Sequence, residues 1–62
     1  MKYAMQFWFE NGVINHNLAC SAKERDEWIN EARKYDINAV TYNPIYKSGE
    51  YGKRTCVIFN RG

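Results

Sequence analysis

The dipeptide Asn11-Gly12 separates two runs of alternating residues, Tyr3-Ala-Met-Gln-Phe-Trp-Phe-Glu10 and Val13-Ile-Asn-His-Asn-Leu-Ala-Cys20. Asn-Gly is the preferred pair for a two-residue type I′ turn, because both central positions need φ > 0. Such a turn predicts a hairpin in which Glu10 faces Val13, Phe9 faces Ile14, Phe7 faces His16, Met5 faces Leu18 and Tyr3 faces Cys20. One hairpin face is then mostly apolar. The other pairs Trp8 with Asn15, Gln6 with Asn17 and Ala4 with Ala19. A one-residue slip would mix the two faces, so the turn and the hydrophobic pattern support the same register.

Ser21-Ala-Lys-Glu24 follows the hairpin as an S-x-x-E capping box and predicts a helix start. At 100° per residue, Arg25, Trp28, Ile29, Ala32 and Tyr35 share one stripe, so the helix is expected to run to about Tyr35 with that stripe on the sheet. The Arg25 stem is expected along the sheet edge. Asp36-Ile37-Asn38 should end the helix, with Asp36 or Asn38 suited to a left-handed conformation. Ala39 to Tyr46 reads as a third strand, in which Pro44 requires an edge, a bulge or the strand's end. Lys47 to Lys53 is a polar loop with two glycines, and Thr55 to Asn60 is a fourth strand.

The element order is therefore ββαββ, an α+β fold in a single domain over residues 1–62. A right-handed crossover carries the second strand over to the third. With the aromatic first strand between them, the sheet is mainly antiparallel in the order 2-1-3-4. One helix covers one face of four strands. The other face is left to solvent or to a partner.

Sixty-two residues bury only roughly 60% of the surface their unfolded chain exposes. Ten aromatic residues partly compensate, and self-association through the open sheet face or a sheet edge would add more. Two cysteines, Cys20 and Cys56, are too few for a secreted disulfide framework. The first strand begins where an apolar leader would stand, and no run approaches the ~18 apolar residues of a membrane span. A cytoplasmic protein with reduced thiols, and no membrane partner, is expected. The net charge of +2 is unevenly spread. Residues 21–36 are net acidic, whereas Lys2, Lys47, Lys53, Arg54 and Arg61 make the remainder basic.

Catalytic and metal chemistry finds little support. His16 is the only histidine, and no nucleophile or carboxylate is assigned to it by spacing. His16 and Cys20 stand about 13 Å apart on a strand, too far to share a zinc with bonds of ~2.0–2.3 Å. Cys56, inside a β-favouring run, reads as a small buried hydrophobe. Gly49-Glu-Tyr-Gly52 has the G-x-x-G outline of a KH clamp, but it joins strands rather than helices and carries a glutamate at its tip. No enzyme, metal or cofactor is expected.

The candidate binding residues are Trp8, Gln6, Asn15, Asn17 and Tyr51. A tryptophan among amide side chains on an uncovered sheet face has the composition of a contact surface. The expectation is a small protein-interaction module, a regulator or inhibitor of a larger cellular protein such as phages and mobile elements encode. The alternative is nucleic-acid binding, with sheet aromatics stacking bases and Lys47, Lys53, Arg54 and Arg61 meeting phosphates. The low net charge weighs against it.

Overall fold

The computed structural model describes residues 1–59, with the side chains of His16 and Asn17 outside the description. Strands β1 (Lys2–Phe9) and β2 (Gly12–Ala19) precede helix α1 (Ala22–Ala32), and strands β3 (Ala39–Ile45) and β4 (Thr55–Ile58) follow it. The sheet has the order β2-β1-β3-β4, and every pairing is antiparallel. This is an α+β domain with one helix across one face. Among the described residues, no helix is long and apolar enough to cross a membrane.

The hairpin forms, but two residues away from the expected register. Phe9 pairs with Gly12, Trp8 with Val13, Phe7 with Ile14, Gln6 with Asn15 and Met5 with His16. The turn is therefore Glu10-Asn11, and among the described residues only Gly49 has a positive φ. That excludes the type I′ turn. A shift of two residues keeps every side chain on its own face, so hydrophobic alternation alone has no power to reject it.

A second departure lies between Met5 and Tyr3, where the register slips and Tyr3 pairs with Ala19. The extra β2 residue is a bulge, and it reverses which face the following residues occupy. Ala19, expected on the open face, is consequently fully buried, whereas Leu18, expected opposite Met5, is 40% exposed. Cys20 lies past the strand end and is exposed rather than opposite Tyr3. The bulge turns the small Ala19 side chain into the core, where it joins Ile29 and Ala32 of the helix.

Helix α1 opens as expected, with the Ser21 hydroxyl accepting from the Glu24 N–H at 3.1 Å. It ends at Ala32, short of Tyr35. The Lys34 and Tyr35 N–H groups donate to the Glu31 and Ala32 carbonyls at 3.1 and 3.2 Å, tightening the last turn to an i→i−3 pattern. Neither Asp36 nor Asn38 is left-handed. Ile29 and Ala32 enter a core with Met5, Ala19, Ile37 and Val40. Arg25 lies over the β1 and β3 rings instead of the sheet edge, its guanidinium 4.7 Å from the Tyr3 ring centre and 5.0 Å from that of Tyr42. Its Nε donates to Asp26 Oδ1 at 2.9 Å. Burial by itself lowers the Arg25 pKa. The hydrogen bond to Asp26 and the charges of Tyr42, Asp26 and Tyr3 more than offset this, and the net shift is upward.

Pro44 stands inside β3 although β3 has neighbours on both sides. The Asn38 N–H donates to the Trp8 carbonyl at 2.8 Å, so the main-chain groups of Trp8 point to β3. Alternation then makes Tyr3/Pro44 a pair without mutual hydrogen bonds, and the Pro44 nitrogen points away from β1. On that side the β4 ladder has already stopped at Tyr42/Thr55. The missing N–H thus falls where no ladder bond is required.

Candidate functional site

The helix-free face is built from cross-strand rows. Register aligns Val13, Trp8, Ala39 and Ile58 in one row across all four strands. Four neighbouring strands put the ends of that row about 14 Å apart. Trp8 is 36% exposed, Val13 41% and Ile58 70%, so the row is an apolar strip open to solvent. The next row is polar: Asn15, Gln6, Thr41 and Cys56. Beyond it Ala4 pairs with Asn43, and then Lys2 with Ile45 and Ile45 with Tyr51.

Trp8 is fixed by this neighbouring row. Its indole Nε1 donates to Thr41 Oγ1 at 2.8 Å, and the Thr41 hydroxyl donates to Gln6 Oε1 at 2.8 Å. Thr41 is buried. The relay runs diagonally across β1 and β3 and holds the indole in one orientation. Thr41→Val keeps the side-chain shape and removes both bonds. The indole N–H can still meet water, so the expected loss is about 1 kcal/mol of stability, read as a lower urea midpoint together with a red-shifted tryptophan emission. Unchanged values in both would mean that the relay does not hold Trp8.

Trp8, Gln6 and Asn15 are thus brought together as expected, while the Asn17 side chain lies outside the described residues. Tyr51 faces the open side at 64% exposure but belongs to the far row. Six residues of β1 separate the two rows, about 20 Å of strand. Trp8 and Tyr51 therefore do not form one patch. Among the basic residues, Lys47 and Lys53 are exposed beside β3 and β4, and Arg54 donates through Nε to Asn43 Oδ1 at 3.4 Å. Arg61 lies outside the described residues.

The structure adds residues to the face that the sequence reading passed over. Cys56 is exposed rather than buried: it lies opposite Thr41 on the helix-free face, and its strand β4 is an outer edge of the sheet. Ile58 and Ala39 complete the apolar strip. Their signal was strand parity counted from Trp8, but Thr55-Cys-Val-Ile58 is β-favouring at every position and does not reveal its own faces.

A second apolar feature lies on the helix side. Phe7, Phe9, Ile14, Trp28, Tyr35 and Ile37 line a groove of about 370 Å³ between α1 and the tip of the first hairpin. Helix α1 contributes Trp28 to it, and the segment after the helix contributes Tyr35 and Ile37. Ile14 is on the helix side of the sheet as expected, yet it remains 53% exposed.

Comparison with known proteins adds no assignment: no protein-family model, curated protein or solved structure matches this chain.

Proposed function

We propose that the chain is a non-enzymatic protein-interaction module that docks the helix-free face of its sheet on a larger partner protein and regulates or inhibits it. The observation that carries this reading is the exposed strip Val13–Trp8–Ala39–Ile58 with its polar row alongside. A tryptophan already oriented by Thr41 loses little conformational freedom on binding, which favours affinity. Asn15, Gln6 and Cys56 flank it as a polar margin, the usual anatomy of a small interface. The two rows hold no carboxylate or imidazole to move a proton, which supports binding over catalysis. The exposed, unpaired thiols of Cys20 and Cys56 suit the reducing cytoplasm.

The test is recovery of partners on the tagged chain from cell lysate, with and without nuclease, for the wild type, Trp8→Ala, Ile58→Lys and the pair Lys53→Ala/Arg54→Ala. A stoichiometric protein should survive nuclease and the charge variant. It should fall by about 30-fold or more with Trp8→Ala, the loss expected of an interface hot spot. Binding that ignores both face variants would refute the reading. Recovery abolished by nuclease and by the charge variant would assign the basic margin to nucleic acid instead.

A further inference from the structure

We propose that β2 is an association edge for a second copy of this chain, joining two sheets antiparallel across a two-fold axis at Ile14. This goes beyond the open-face reading and does not depend on it. The sheet order leaves β2 at one outer edge. Because the Trp8 main chain points to β3, the alternation of the ladder turns the main-chain groups of Ile14 toward β1 and those of Val13 and Asn15 outward. Among the described residues no strand lies beyond them.

The usual protections of an edge are missing here. Gly12–Ala19 contains no lysine, arginine, aspartate, glutamate or proline, and the bulge blunts only the end near Ala19. The opposite edge, β4, has four residues against eight in β2, and Lys53 and Arg54 precede it. Moreover, β2 exposes apolar side chains on both faces of the sheet, Val13 on the open side and Ile14 on the helix side. Ile14 is also the outer wall of the aromatic groove.

A second copy fits this edge because the segment is self-complementary about Ile14. Val13 of each copy then meets Asn15 of the other, and the outward N–H and C=O groups of these residues form the new ladder. Ile14 meets Ile14 of the second copy in a pair without mutual hydrogen bonds, the kind in which side chains approach most closely. That contact would join the two grooves into one continuous apolar floor. With no charge on β2, two copies bring no like-charged pair together along the strand. Pairing of a segment this short falls below the standard interface of about 1,600 Å², so the dimer should depend on concentration.

The decisive experiment combines sedimentation velocity with amide hydrogen exchange across a concentration series of the full chain. The wild type should shift from monomer to dimer, and the Val13 and Asn15 amides should gain protection in step with that shift. Ile14→Lys should weaken dimerisation at least about tenfold, since it sets two like charges against each other on the axis. Its circular dichroism should stay unchanged, because the position is half exposed. As an independent check, Ile14→Cys with Cys20→Ser and Cys56→Ser should give a symmetric disulfide dimer on mild oxidation. Trp8→Ala should still dimerise, and Ile14→Lys should still bind the partner protein. A monomer at every concentration would overturn the proposal. So would a dimer with unprotected Val13 and Asn15 amides, or one abolished by Trp8→Ala, which would place the contact on the open face.

Discussion

Met5→Ala is expected to cost about 2–5 kcal/mol, the usual range for emptying a fully buried long side chain. Met5 and Val40 are the largest side chains with essentially no exposure. Met5 stands in the central strand, with His16 beside it on β2 and Tyr42 on β3, and Ile29 and Ala32 belong to the same cluster. Strands anchored on both sides cannot collapse into the space a truncated Met5 would leave, so the transfer loss and a cavity term add. A domain of 62 residues holds only about 3–9 kcal/mol in total. The variant should therefore be largely unfolded or lose most of its urea midpoint. Met5→Leu conserves volume and should cost under about 1.5 kcal/mol. Ile58→Ala, at an exposed site on β4, should stay within about 0.5 kcal/mol of wild type. A Met5→Ala loss no larger than that of Ile58→Ala would show that the core is centred elsewhere.

The next largest effect is expected at Gly52, where Gly52→Ala should destabilise by about 1–3 kcal/mol. A Cβ there would lie 2.5 Å from Pro44 Cγ, 2.6 Å from Tyr46 Oη and 3.0 Å from Tyr46 Cζ. Tyr46 is exposed and can swing aside, but the Pro44 ring is fixed to β3. Gly52 also cannot retreat freely, since its N–H donates to the Pro44 carbonyl at 2.7 Å and its carbonyl accepts from Asn43 Nδ2 at 3.0 Å. Gly12→Ala provides the contrast. Nothing lies within 4 Å of a Cβ at Gly12, and its φ is not positive. That substitution should be neutral or stabilise by up to about 1 kcal/mol, by restricting the unfolded chain. If Asn11-Gly12 were a type I′ turn, the sign would reverse. Thermal melts of the two alanine variants therefore test the loop packing and the hairpin register together.

Read alone, the chain yields the order of the elements and the faces of β1, of β2 up to its bulge and of Ile29 and Ala32 in the helix, but neither the end of β2 nor the faces of β4. Alternation in β1 and the Ser21–Glu24 cap are local signals, and side-chain parity and local hydrogen bonding suffice to read them, whereas Asn11-Gly12 marked the presence of a turn but not its position. They placed Trp8, Gln6 and Asn15 on the helix-free face, and Ile29 and Ala32 on the sheet. What they do not contain is any term that distinguishes registers two residues apart, because such registers have the same parity. The turn at Glu10-Asn11 emerges only in the assembled sheet, where Phe7 pairs with Ile14 on one side and with Val40 on the other. The assembled fold also contains the bulge that buries Ala19 among Ile29 and Ala32 and leaves Leu18 exposed. The four-strand row ending at Ile58 has the same origin. Each depends on pairing between residues distant in sequence, where the stabilising contacts exist only once the whole sheet has formed.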